Sequence, residues 1–186
     1  MPDVASDINL ESLVISLPDY PHPPVVFKDV TPVFADPKGF RVMVDRIAEH
    51  FAGRGITKVV SAEARGFMVG APVAYALGAG FIPARKPGKL PREVISESYV
   101  LEYGTDTLEI HADALSADDV VLLVDDLIAS GGTAQAQVKL VESTGARVEG
   151  LAFLMELAYL NPREALAKTT SAEVYSEIIV ESENRE

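Results

Sequence analysis

The sequence predicts an α/β fold with a mostly parallel central sheet flanked by helices. Short strand-like runs such as Lys58–Ser61 and the apolar Val121–Val124 alternate with helix-length segments along the chain, and strands alternating with helices build parallel sheets. The 186 residues are 48% hydrophobic and 24% charged, an ordinary globular mix with enough length for one sizeable core. Neither a repeat nor a shift in composition divides the chain, so a single domain over residues 1–186 is expected.

Each element has a local reason. Ile8–Ser16 reads as a short amphipathic helix, with Asp7 as N-cap and Pro18 beyond its end. The proline-rich stretch 18–24 and the segment Phe27-Lys28-Asp29-Val30-Thr31-Pro32 read as rigid and irregular. Asp36-Pro37 supplies the N-cap and first position of the next helix. Its apolar stripe is Phe40, Val44, Ile47 and Phe51, and Gly53 closes it. Lys58–Ser61 is a strand. Gly66–Leu77 is an apolar, small-residue helix that should lie buried on a sheet. Phe81–Pro83 is a strand leading into a basic loop, Arg85–Arg92. Ser98–Ile110 alternates like a hairpin about Gly104. Val121–Val124 is a buried strand, and Ala134–Ser143 is a helix stopped by Gly145. Arg147–Leu157 is a strand, Asn161-Pro162-Arg163-Glu164 a capping-box-like helix start, Val174–Val180 the last strand, and the tail is polar.

Composition narrows the function. The net charge of -12 and pI of about 4.7 disfavour a nucleic-acid surface. No apolar run approaches a membrane span, and Met1–Asp7 lacks the basic start of a signal peptide, so a cytosolic protein is expected. The absence of cysteine excludes disulfides, thiol chemistry and thiolate metal sites. His22, His50 and His111 have no metal-ligand spacing.

The run Val121 to Thr133 carries the most chemistry. Two acids, Asp125 and Asp126, follow the apolar strand, then a small-residue loop leads to Thr133 at a helix start. The N–H groups of a first helical turn and its dipole form an anion site. Gly131 and Gly132 let the backbone curl around a phosphate, and Ser130 and Thr133 add hydroxyl donors. An ordinary strand, turn and helix explains all of this except the paired acids. Carboxylates beside an anion make sense if the ligand also carries hydroxyls, as a sugar phosphate does. Neither G-x-x-x-x-G-K-[ST] nor G-x-G-x-x-G is present, and no triad element is found.

Two further segments fit the same ligand. Ser61-Ala62-Glu63-Ala64-Arg65-Gly66-Phe67 is a second strand-to-helix turn, which brings Arg65 and another helix N-terminus to the same sheet edge. Alone it is a surface turn with a solvated charge pair; beside the first motif it suits a ligand with two phosphate groups. Arg85-Lys86-Pro87-Gly88-Lys89-Leu90-Pro91-Arg92 is strongly cationic in an acidic protein, and its proline and glycine content makes a loop of the kind that moves over ligands. Glu102 lies on the hairpin that follows; only that position makes it a catalytic candidate.

The run Val121–Thr133 resembles the 5-phosphoribosyl 1-pyrophosphate (PRPP) motif of type I phosphoribosyltransferases. With Phe27–Pro32, Glu63–Phe67, Arg85-Lys86 and Gly88–Pro91, Tyr99, Leu101–Gly104 and Leu108–His111 in order, the chain from about Leu10 to Leu166 is similar to the adenine phosphoribosyltransferase family. The basic loop and the Leu101-Glu102-Tyr103-Gly104 hairpin separate it from other type I members. Pro24 stands where that family usually has glycine, and Ser130 replaces a common threonine while keeping its hydroxyl.

The resemblance implies a type I phosphoribosyltransferase fold, with an N-terminal hood segment over 1–35, an α/β core over 36–180 and a mobile lid over 85–110. It implies conversion of adenine and PRPP to AMP and pyrophosphate with Mg²⁺. Asp125 and Asp126 would hold the ribose hydroxyls, and Ala129, Ser130, Gly131, Gly132 and Thr133 the 5′-phosphate. Arg65, Arg85 and Lys89 would serve the pyrophosphate. Phe27 and Leu127 would sandwich the base, its edge read by main chain near Val26 and Arg65. Lys28, Glu63, Ala64 and Tyr103 complete the substrate-binding set, and Glu102 would handle a proton on the imidazole side. No dedicated metal ligands are implied; Mg²⁺ would come with PRPP, near Asp125 and Asp126. The family is usually homodimeric. Two rivals remain: the same fold acting on hypoxanthine or xanthine, and a PRPP-sensing regulator that binds nucleic acid.

Overall fold

The computed structural model describes residues 8–101 and 104–182. At its centre lies a sheet of five parallel strands, β3 (Lys58–Ala62), β4 (Gly80–Ala84), β7 (Val120–Ile128), β8 (Arg147–Leu157) and β9 (Glu173–Val180), in the order β4-β3-β7-β8-β9. Two antiparallel pairs stand outside it: β1 (Ile15–Pro18) with β2 (Val26–Asp29), and β5 (Val94–Leu101) with β6 (Gly104–His111).

Side-chain alternation sorts the sheet into two faces. Val59, Leu122, Val124, Ala152 and Leu154 point into one core, shared with α2 (Pro37–His50) and α3 (Gly66–Leu77). Val60, Val121, Leu123, Leu151 and Phe153 point into the other, shared with α4 (Gly132–Ser143) and with Leu108 and Ile110 of β6. Both faces are covered, which is why these strands read as continuous apolar runs. Gly150 allows the close packing on the first face: a Cβ there would lie 2.4 Å from Phe51 Cε1.

Most expected elements are present. Asp36 caps α2, its Oδ1 accepting the N–H groups of Lys38 at 3.0 Å and Gly39 at 2.7 Å. The buried stripe of α2 is centred on Met43, Ile47 and, just past its end, Phe51; Phe40 is only half-buried. Gly53 sits in the turn beyond, at φ +74°. Helix α3 has the expected bounds and ends at Gly78, φ +68°.

Five local readings are corrected. Ile8–Ser16 is not a helix: one 3₁₀ turn covers Leu10–Leu13, capped by Asn9 Oδ1 at 3.0 Å from the Glu11 N–H, and Asp7 lies outside the described residues. From Ile15 the chain is strand, because β2 offers backbone partners from Asp29 to Val26. The segment 27–32 is likewise ordered, as β2 and a short helix α1 (Thr31–Ala35). Asn161 does not form a capping box; it adopts a left-handed conformation without a side-chain cap and precedes a five-residue helix α5 (Pro162–Leu166). Asp125 and Asp126 lie inside β7 rather than after it, since pairing with β8 runs on through Ile128↔Glu156. The hairpin is also longer than expected, beginning at Val94, and the tail from residue 183 lies outside the described residues.

Sequence order reverses between β3 and β7. From β3 the chain moves out to β4 and returns to pair β7 on the other side of β3. The loops after β3 and β7 therefore diverge and leave a crevice beyond the carboxyl ends of these strands, where ligands bind in open α/β sheets.

Candidate active site

The crevice holds two adjoining cavities. The first, about 200 Å³, is shaped by residues 127–134 with Asp125 and Phe153. Gly131, at φ +90°, turns the chain from β7 into α4, and the first turn of α4 has no side-chain cap. Its N–H groups and dipole thus remain available to an anion. The second cavity, about 260 Å³, shares Asp125, Leu127 and Thr133 with the first and adds Glu63, Arg65, Lys86, Tyr99, Asp106 and Asp126. One wall therefore serves both an anion cradle and a charged chamber in which Arg65 and Lys86 stand among four carboxylates, Glu63, Asp106, Asp125 and Asp126.

Of the paired acids, Asp125 lines both cavities and Asp126 the second. Asp125 is buried, and its Oδ1 accepts the Asp126 N–H at 2.9 Å. Burial, and then the charge of Asp126, push the Asp125 carboxyl well above the ordinary range; Arg65 opposes this more weakly. Gly66 gives the acid its room, since a Cβ there would lie 2.4 Å from Asp125 Oδ1. Asp126 accepts a hydrogen bond from Arg65 Nε at 2.5 Å. Two carboxylates, with no group of three or more acidic or histidine ligands among the described residues, fit a Mg²⁺ ion that keeps several oxygens from water or substrate phosphate.

Glu63 organises the start of the basic segment. Its carboxylate accepts the Lys86 N–H at 2.5 Å and Arg85 Nη2 at 3.1 Å. Burial works against its charge, but these two donors and Lys89 outweigh it and hold the carboxyl below the ordinary value. The Glu63–Ala64 peptide is cis. The basic segment is a loop, as expected, and touches its surroundings at four points: Arg85 pairs through its backbone with Glu109, Lys86 pairs with Asp106, Gly88 N–H reaches Glu109 Oε2 at 3.1 Å, and Arg92 pairs with Asp113.

On the other side of Arg65 lies Phe27. The guanidinium carbon sits 5.6 Å from its ring centroid, and Tyr20 meets the same ring edge-on at 5.3 Å. Val26 is buried at the start of β2.

The structure thus gathers Glu63, Arg65, Asp125, Asp126, Leu127 and Ala129–Thr133 around one crevice, with Arg85 bound to Glu63 and Phe27 beside Arg65. Ala64 and Lys89 are exposed; the Lys89 N–H donates to the Lys86 carbonyl at 3.3 Å. Lys28 is not gathered with the phosphate-side cations: its ammonium donates to Ser16 Oγ at 2.8 Å across the β1–β2 pair. Glu102 and Tyr103 lie outside the described residues. Sequence reasoning did not single out Lys86, Tyr99 or Asp106 for the chamber. The hairpin register about Gly104 could have matched Tyr99 with Asp106, but nothing local points to Lys86 as their partner.

Comparison with known proteins agrees with this architecture. Residues 37–184 match the phosphoribosyl transferase domain family. The adenine phosphoribosyltransferase of Pectobacterium atrosepticum is 53% identical over 159 residues, 86% of each chain, and that of Erwinia tasmaniensis is 51% identical over 90% of this chain and 91% of its own. The crystal structure of adenine phosphoribosyltransferase from Thermoanaerobacter pseudethanolicus superposes with a TM-score of 0.86 at 46% identity, covering 92% of this chain and 99% of that one. The Saccharomyces cerevisiae enzyme, complexed with an imino-altritol bisphosphate and adenine, superposes with a TM-score of 0.84 at 36% identity over 95% and 99% of the two chains. The chain belongs to the phosphoribosyl transferase domain family and, within it, to the adenine phosphoribosyltransferases, pentosyl-transferring enzymes of purine salvage.

Proposed function

We propose that the chain transfers the 5-phosphoribosyl group of PRPP to adenine, releasing pyrophosphate and forming AMP. The observation that carries this reading is the pair of cavities sharing Asp125, Leu127 and Thr133. A sugar with hydroxyls between two phosphorylated ends matches an anion cradle, a carboxylate pair and a chamber that carries Arg65 and Lys86. The yeast relative, complexed with a bisphosphate and adenine, supports the same assignment of ligand classes.

In this reading the uncapped first turn of α4 and the 129–133 loop receive the 5′-phosphate. Asp125 and Asp126 accept hydrogen bonds from the ribose hydroxyls, which charged acceptors do at about twice the strength of neutral ones. Arg65, Arg85 and Lys89 attract the pyrophosphate, and Phe27 and Leu127 enclose the base. The C1′–O bond to pyrophosphate breaks and the C1′–N9 bond to adenine forms, through an oxocarbenium-like state as in glycoside chemistry. The imidazole proton leaves the base, and Glu102 is the proposed acceptor. Cations fixed before the reaction offset the charge that grows on the departing pyrophosphate. Mg²⁺ delivered with PRPP would lie near Asp125 and Asp126 and would supply charge that offsets the phosphates. Movement of the 85–110 segment over the chamber would exclude water.

A homodimer and a cytoplasmic location belong to the same proposal. Helix α3 contains no charged residue and exposes Met68 and, seven positions on, Tyr75; an apolar helix face of this kind suits a subunit contact. No helix among the described residues is long and apolar enough to cross a membrane.

One assay tests the reading. With PRPP, Mg²⁺ and each purine in turn, adenine should yield its mononucleotide and hypoxanthine should not. Mononucleotide from hypoxanthine but not adenine would assign the site to another base; none from any purine would overturn the transferase reading.

A further inference from the structure

Tyr99 and Asp106 face each other across the β5–β6 hairpin. The Tyr99 hydroxyl donates to Asp106 Oδ2 at 3.1 Å, and the Lys86 ammonium donates to the same oxygen. Lys86 Nζ also lies 3.4 Å from the Tyr99 hydroxyl and 5.8 Å from its ring centroid. Asp106 Oδ1 accepts the Thr107 N–H at 2.8 Å, so both carboxylate oxygens are engaged and the group is fixed. Thr133, at the start of α4, donates its hydroxyl to Tyr99 at 3.4 Å. All four side chains line the chamber that holds Asp125 and Asp126.

We infer that Asp106 and Tyr99 are positioning residues that hold the Lys86 ammonium at the pyrophosphate side of the chamber and tie it to Thr133 on the 5′-phosphate side. The inference rests on the proposal that this chamber takes PRPP. Lysine is a mobile point charge with three donors. Two of them are spent on Asp106 and Tyr99, and the third is left for a phosphate oxygen. Asp106 therefore steadies Lys86 rather than competing with the ligand for it, and the ordering of a long side chain precedes binding. Held at the Lys86 hydrogen bond first, the Asp106 carboxyl lies below its ordinary range and stays ionised throughout the neutral region. Tyr99, touching both Lys86 and Thr133, joins the loops that would grip opposite ends of the same molecule.

Steady-state kinetics on Lys86→Met, Asp106→Asn, Asp106→Glu, Tyr99→Phe and the Lys86→Met/Asp106→Asn double variant test this. The KM for PRPP should rise about tenfold in Asp106→Asn and less in Tyr99→Phe, with the KM for adenine within about twofold. Asp106→Glu should recover most of the loss, and Asp106→Asn should add nothing in the Lys86→Met background. The inference is overturned if Asp106→Asn costs as much without Lys86 as with it, or shifts the KM for both substrates equally. If Asp106→Asn does not fold by its thermal midpoint, Tyr99→Phe carries the test, and an unchanged KM for PRPP there is the overturning result. If Lys86→Met leaves the KM for PRPP unchanged, the assignment of the pyrophosphate side fails as well.

Discussion

Arg65 Nε lies 2.5 Å from Asp126 Oδ2, joining residues 61 positions apart. The same pattern recurs around the chamber, with Arg85 on Glu63 and Lys86 on Asp106. Each of these three cations is pre-paired with a carboxylate, which fixes its place before a ligand arrives. A phosphorylated ligand then adds a second partner to groups already in place, which is electrostatic preorganisation.

Asp125→Asn should raise stability at pH 7 while weakening PRPP binding. Burial and Asp126 raise the Asp125 carboxyl in the folded protein. Its contribution therefore favours folding below the unfolded value of about 3.9 and is lost as pH rises through the higher folded value. Asparagine removes the charge and keeps Oδ1 as acceptor for the Asp126 N–H, 2.9 Å away in the native protein. The thermal midpoint at pH 7 should rise by about 2–4 °C per kcal/mol of relieved repulsion, with the gain shrinking toward pH 4. A lower midpoint at pH 7 would show that the charge is compensated in the fold.

Gly66→Ala should damage the site more than the fold. The new Cβ would stand 2.4 Å from Asp125 Oδ1 and 3.1 Å from its Cγ, so the carboxylate must move. Overpacking of this kind costs about 1–3 kcal/mol, whereas loss of a charged acceptor should raise the KM for PRPP by about tenfold or more. Kinetics and thermal melting on one preparation separate the two; an unchanged KM would mean that Asp125 tolerates displacement.

Glu63→Ala should loosen the basic segment. The carboxylate holds the Lys86 N–H and the Arg85 guanidinium, and hydrogen bonds to charged groups contribute about 1.5–3 kcal/mol each. Trypsin should cleave after Arg85 or Lys89 about tenfold faster than in the parent protein, and PRPP with Mg²⁺ should slow the cut. Equal rates in variant and parent would show that the Glu109 and Asp106 contacts suffice.

Phe27→Ala should weaken adenine rather than PRPP. Stacking of a base on an aromatic ring contributes about 1–3 kcal/mol, so the KM for adenine should rise about tenfold. In the parent protein hypoxanthine should be rejected by about 10⁴ if, as proposed, main-chain groups near Val26 and Arg65 read the 6-amino group and N1 of adenine, since they would meet like partners on a 6-oxopurine. Arg65→Ala should leave that choice intact. Comparable kcat/KM for adenine and hypoxanthine in the parent protein would reassign the base.

The elements legible in the sequence are those with local causes. Asp36-Pro37 starts α2 because a side-chain acceptor and a proline suit a helix N-terminus whatever surrounds them. The bounds of α3 follow from an apolar, small-residue run, and the anion cradle is read from an apolar strand, paired acids and two glycines before a helix. What the tertiary structure decided are relationships between distant segments. Ile15–Pro18 becomes strand because Val26–Asp29 supplies hydrogen-bond partners, and Asp125 and Asp126 lie within β7 because β8 pairs beyond them. Lys86, Tyr99, Asp106 and Thr133 meet because a loop, a hairpin and a helix start converge. Periodicity and capping act over a few residues, so they write themselves into sequence; ion pairs and strand pairing depend on which segments the packed core brings within a few ångströms.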